Sequence, residues 1–306
     1  MTFGAGNEDR GRESTGGLHK SLTCDLDFRV NSKVDENLHT PLSFPPNPLS
    51  GSNPTLSAIR VPTPPEDPVW SGWDVVGVVA LTVVSLMVIP LLVVLPAHLF
   101  VYPKLFLMDI VKIPDVILLV QVLAYGAVFG FIYSLLKKRG GAFWAPLRWN
   151  WPTRTWGAYL MLGALLYLAL MGFSALLPIP KHLPIDRFFQ NARAAALMTS
   201  LSVTLAPFME ELFFRGLLYP VLARRMGVPL AIFLTGAAFG LLHGDQLNFS
   251  WAVLIIFLVG VALTAVRAVT KSVAASFLVH VGYNGTLSTL LVVATDGFRH
   301  LEKLNS

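Results

Sequence analysis

Residues 75–99 read VVGVVALTVVSLMVIPLLVVLPAHL, twenty-five positions without an Asp, Glu, Lys or Arg. As a helix this stretch rises about 37 Å at 1.5 Å per residue, more than the ~30 Å hydrocarbon core of a bilayer. Residues 116–136, 156–177 and 247–266 repeat the pattern, again with no acid or base. The whole chain agrees: 13% of its residues are charged and 54% hydrophobic, about half the charge of a soluble domain. The expected fold is all-α, a polytopic transmembrane bundle of about seven spans over residues 70–306. The protein is thus expected to be an integral, multi-pass membrane protein with the lipid bilayer as its surroundings.

Upstream of the bundle, residues 1–69 are rich in Gly, Ser, Asn and Pro, with no apolar period of 2 or 3.6. Such a segment buries too little surface to offset its ordering entropy, so a disordered tail is expected. Its end, VPTPPEDP at 61–68, reads as a stiff, extended linker. A lone Cys24 leaves no intrachain disulfide or cysteine-rich metal site to build. The net charge of +5 is what basic loops flanking apolar spans produce, and no nucleic-acid partner is expected. The densest basic cluster is the loop 137–155, with Lys137, Lys138, Arg139, Arg148 and Arg154. Positive charge favours the cytoplasmic side, which places this loop, and with it the N-terminus, in the cytoplasm. Counting Lys and Arg in loops, that side carries nine and the other seven.

Three spans are not clean hydrocarbon. One, from about 194 through the acid pair, carries Glu210, Glu211 and Arg215; another, 228–243, ends on His243; the last, 272–294, carries His280 and Asn284. Ionisable groups at membrane depth cost several kcal/mol and usually face a cavity or one another. Measured from the ends at Arg225 and Lys271, Glu210 and His243 lie ~23 Å in, and His280 and Asn284 ~14 and ~20 Å in. All four can therefore share a depth, apart from a kink expected at Pro207.

Spacing separates the two acids. Glu211 and Arg215 are four apart with the acid first, the favourable register for a same-face ion pair. Glu210 projects ~100° away, which leaves it free for chemistry. His280 and Asn284 share a face. Gly236, Gly240 and Gly244 form a ladder that lets a neighbouring backbone approach. Structural roles compete at each position: a plain buried ion pair for Glu211 and Arg215, a hydrogen-bonded His, and an Asn that joins helices.

The same residues carry a family resemblance. Glu210-Glu-Leu-Phe-Phe-Arg215, Phe239-Gly-Leu-Leu-His243 and His280-Val-Gly-Tyr-Asn284 resemble the three signature motifs of the CPBP intramembrane proteases, also called the Abi or type II CAAX-protease-like family. The likeness spans about residues 155–293. It implies peptide-bond hydrolysis of a membrane-associated polypeptide, with Glu210 and His243 activating water and His280 with Asn284 stabilising the oxyanion. Some descriptions of the family make it a metalloprotease. A divalent metal such as zinc, held by Glu210, His243 and His280, would suit two His and one carboxylate with an open position. Two readings from other classes compete: a proton-coupled transporter, which also uses intramembrane acids and His, and a non-catalytic membrane scaffold.

The tail prediction is direct. Deleting residues 2–60 is expected to leave membrane insertion and the detergent melting temperature of the bundle unchanged. A bundle that no longer folds without them would contradict it.

Overall fold

The computed structural model describes residues 67–189 and 191–304. The tail expected over 1–69 lies outside these residues except for its last three. Among the described residues there is no strand, and helices run in sequence from α1 to α10. They are α1 (Gly72–Phe100), α2 (Leu107–Ile110), α3 (Pro114–Gly140), α4 (Trp156–Ser174), α5 (Ala192–Val203), α6 (Leu205–Glu211), α7 (Tyr219–Met226), α8 (Val228–Leu242), α9 (Ala252–Thr270) and α10 (Val273–Ala294).

Six segments are long and apolar enough to cross a membrane: Gly72–Phe100, Pro114–Arg139, Trp156–Ser174, Ala192–Met226, Ala252–Thr270 and Val273–Ala294. They fit an integral multi-pass protein. Large apolar side chains such as Met87, Leu92 and Leu176 point outward from the helices, a liability in water and the normal condition in lipid. The remaining expected span is present as the shorter apolar helix α8, of 15 residues. Its rise of ~22 Å falls short of the hydrocarbon thickness. It stops at His243 because the chain turns there, through a 3-10 turn at Asp245–Leu247 and left-handed backbone at Asn248 and Phe249.

Local chemistry starts and stops the helices. At α1 the Ser71 hydroxyl accepts from the Asp74 amide while the Asp74 carboxylate accepts from the Ser71 amide, a capping box. At α10 the Ser272 hydroxyl accepts from the Ala275 amide, an N-cap without the returning carboxylate. Beyond α3, Gly141 takes a φ of 71°, a region open to glycine. The span 192–226 is irregular. It breaks at Thr204 (φ −113°, ψ −84°), just where Pro207 lacks an N–H and its ring crowds the backbone one turn earlier. The expected kink is therefore real and lies three residues before the proline. Past Glu211 the chain forms a π-helical turn, Leu212–Leu218, a form often found at functional sites.

Two glycine crossings fix the helices that carry the polar groups. A Cβ on Gly163 of α4 would collide with the Val279 carbonyl and the Tyr283 amide of α10, and one on Gly282 with the Leu160 carbonyl. On α8, Gly236 and Gly240 rest against Val261, Gly260 and Phe257 of α9. The expected ladder thus serves α9 with two of its three rungs. Gly244 instead meets the ring of Phe249 in the following turn.

Gly163→Ala and Gly282→Ala are each expected to cost about 1–3 kcal/mol, because α4 and α10 must separate to admit the methyl. Gly130→Ala, with nothing within 4 Å of the added carbon, is the control. Detergent melting curves check all three, and equal melting temperatures would contradict the crossing.

Candidate functional site

Polar residues of two of the three flagged spans meet around one carboxylate. Glu211 and Arg215 are both fully buried, with Nη1 donating to Oε1 at 2.9 Å. That is the i, i+4 pair expected from spacing. The guanidinium does more than pair. Its Nη2 donates at 2.9 Å to the carbonyl of Gly260, at the α8–α9 crossing, and its plane lies 4.6 Å from the centre of the Phe239 ring. Arg215 therefore ties its own segment to α9 by a hydrogen bond and to α8 by a cation–π contact.

Glu211 ties the same segment to α10. Its Oε1 lies 3.0 Å from Nδ1 of His280, and its Oε2 accepts from the hydroxyl of Ser276. A carboxylate only accepts here, so Nδ1 of His280 carries a proton, and in the corresponding neutral tautomer Nε2 is bare. That Nε2 faces Oε2 of Glu210 at 3.7 Å. One imidazole thus stands between two consecutive glutamates, one on each ring nitrogen. The acids differ in access: Glu211 is sealed, whereas the Glu210 side chain is 20% exposed. Only Glu210 is open to water or a substrate.

His243 and Asn284 are held by backbone carbonyls rather than by the Glu211 carboxylate. His243 donates from Nδ1 to the Phe239 carbonyl at 2.8 Å, which leaves its Nε2 as the free nitrogen. The Phe239 ring centre lies 4.9 Å from that of His243 and 5.8 Å from that of His280. Asn284 donates from Nδ2 to the Ser202 carbonyl at 2.7 Å, beside the break at Thr204. It joins α10 to the end of α5, and its second amide hydrogen is left over. The depth argument carried no information about lateral position.

Spacing reasoning missed Ser276 and the Glu211–His280 contact. Ser276 is four residues before His280 on α10, as Asn284 is four after, so a polar stripe of 276, 280 and 284 was visible. Which neighbouring side chain that stripe would meet was not.

The donor set bears on the metal. Among the described residues, no three His, Cys, Asp or Glu side chains gather closely enough to hold an ion. His280 has its Nδ1 committed to Glu211, and His243 has its Nδ1 on the Phe239 carbonyl. In this arrangement Glu210, His243 and His280 do not form the three-ligand set expected for zinc.

Residues 192–286 match the family model described as type II CAAX prenyl endopeptidase Rce1-like. The stretch is narrower than 155–293, yet it contains all three motifs and every residue described above. It agrees with the family to which the motifs pointed. No curated protein and no solved structure matches the chain.

Neutralising Glu211 removes the partner of a buried cation. Glu211→Gln is expected to cost about 3–5 kcal/mol, read as a large fall in detergent melting temperature. A variant that melts like the parent would show that Arg215 finds its compensation elsewhere.

Proposed function

We propose that this protein is an intramembrane endopeptidase that hydrolyses a peptide bond of a membrane-associated polypeptide. The observation that carries the reading is the line Glu211–His280–Glu210, with distances of 3.0 and 3.7 Å across one ring. A buried acid orients the imidazole, and a water-accessible acid stands at its other nitrogen. The family match and the membrane-spanning helices supply the reaction class and the setting.

In this reading Glu210 is the general base. It takes a proton from a water held beside Nε2 of His280, and the oxygen of that water attacks the scissile carbonyl. The carbon–nitrogen bond breaks as the proton passes from Glu210 to the departing amine. Proton transfer by a positioned side chain contributes roughly 10²- to 10⁴-fold. The negative charge on the carbonyl oxygen is stabilised by the free amide hydrogen of Asn284 and, when His280 is protonated, by its Nε2–H. Oriented donors of this kind supply about 3–4 kcal/mol. His243, with its Nδ1 fixed by the Phe239 carbonyl, offers its Nε2 to the attacking water. Glu211 and Arg215 act as positioning residues through His280 and the helix segment. No step runs through a metal. The end of the bundle that carries the loop 137–155 faces the cytoplasm in this reading.

Glu210→Gln is the decisive variant, since the amide fills the same space and cannot accept the proton. It is expected to melt like the parent and to cleave about 10²- to 10⁴-fold more slowly. Its uncut substrate should accumulate and be identifiable by the mass of the enriched membrane peptide. Cleavage at the parental rate would remove the proteolytic reading and favour a transporter or scaffold.

The donor geometry gives a second expectation. Purified active protein should contain no stoichiometric zinc and should keep its activity in chelator. Stoichiometric zinc that is lost in the His243→Ala, His280→Ala double variant would overturn it.

A further inference from the structure

One end of the bundle differs from the other in two independent respects. Contacts gather this end from six parts of the chain. Arg139 pairs with Asp74 and Arg224 with Asp67, each at 2.8 Å. The guanidinium of Arg225 lies beside Gly72. The hairpin 141–155 is fastened to the start of α10 by the Val273 amide on the Arg148 carbonyl at 3.0 Å and by the Asn150–Ser272 contact at 2.5 Å. The hairpin is also packed inward: Trp149 lies 5.3 Å from Phe208 of α6 and 5.5 Å from Phe277 of α10.

The first difference is charge. The acids described at this end are Asp67 and Asp74, and both are paired. Lys137, Lys138, Arg148, Arg154, Arg225 and Lys271 have no acidic partner among the described residues. At the opposite end Lys112 pairs with Asp109, Arg193 with Asp115 and Arg299 with Asp296, while Lys104, Lys181 and Arg187 have no acidic partner among the described residues. Seven Lys and Arg there stand against five Asp and one Glu. The plain count of nine basic residues against seven hides this contrast, because among the described residues six of the eight acids at the two ends lie on the opposite side.

The second difference is tryptophan. Of the seven in the chain, six (Trp70, Trp73, Trp144, Trp149, Trp151 and Trp156) belong to this end. Trp73, Trp144, Trp151 and Trp156 are 81%, 47%, 50% and 52% exposed, at the level where α1 and α4 begin. Exposed indoles at span ends favour the headgroup layer, where an apolar ring and a polar N–H are both satisfied. An acidic soluble partner would account for the charge but not for this belt.

We propose that this end is a binding surface for anionic lipid headgroups, with the tryptophans at the acyl boundary and the unpaired cations on the phosphates. The proposal stands apart from the proteolytic reading. Near an anionic surface each Lys or Arg is worth roughly a fivefold change in local occupancy, so a few of them enrich acidic lipid strongly.

The tryptophans supply the probe. The full chain is reconstituted in bilayers of equal phosphatidylcholine and phosphatidylglycerol, with brominated acyl chains on one lipid or the other, and indole quenching is compared. Quenching is expected to be several-fold stronger when the bromine is on phosphatidylglycerol. The preference should vanish in 1 M salt, where the screening length is ~3 Å, and in the Lys138→Gln, Arg154→Gln, Lys271→Gln triple variant. The charge-keeping Lys138→Arg, Arg154→Lys, Lys271→Arg triple should retain it. Equal quenching in the parent protein overturns the proposal, as does a preference untouched by both salt and charge removal. An acidic peptide that shifts the indole signal when lipid does not would also overturn it and would make the surface a protein-docking face.

Discussion

A carboxylate held in low dielectric must be neutralised and hydrogen-bonded on both oxygens, or the fold cannot retain it. Glu211 meets this demand with three partners drawn from two segments: Arg215 on its own, and Ser276 and His280 on α10. Arg215 in turn needs its charge balanced and its hydrogens placed, which engages the Gly260 carbonyl and the Phe239 ring. One buried acid thereby sets the relative placement of the 192–226 segment, α8, α9 and α10. Apolar packing alone gives little reason for one register over another in lipid, where helix faces and solvent are equally apolar.

The backbone around this acid is irregular on both sides. The break at Thr204 lies upstream and the π-helical turn Leu212–Leu218 downstream, so α6, with Glu210 and Glu211, is an isolated short helix. Non-helical backbone at membrane depth is tolerated only where protein satisfies it. Asn284 does so for the Ser202 carbonyl, and the π-helical turn keeps its own wider-spaced bonds, as where the Tyr219 amide donates to the Phe214 carbonyl. The irregularities let two consecutive glutamates address the same imidazole from different directions, which a straight α-helix with 100° between neighbours does less readily.

Much of this was legible in the sequence, and the limits follow from geometry. Apolar run length gave the membrane spans, because backbone satisfaction in lipid leaves few alternatives. The Glu211–Arg215 pair and the kink at Pro207 were legible because both are events within one helix. Contacts between helices were not, since spacing fixes height and face on one helix and says nothing of lateral neighbours. His243 shows the difference: spacing set its place at the end of α8 and left its neighbours across the bundle open. Asn284 shows it again, with the expected face and a partner, Ser202, that no motif predicted. Glu210, His243 and His280 suit zinc by residue type, while among the described residues no three such donors gather, which spacing along single helices does not reveal. α8 proved short because its boundary is set by the turn at Asn248 and Phe249, which composition alone does not mark.

The account rests on Glu211 holding His280 so that Nε2 points at Glu210. Nitrogen resonances of ¹⁵N-histidine-labelled protein in bilayers report this directly, with His280→Gln used to assign the signal. The account predicts a proton on Nδ1 of His280, with Nε2 bare in the neutral form. A neutral His280 protonated on Nε2, with a bare Nδ1, would contradict it.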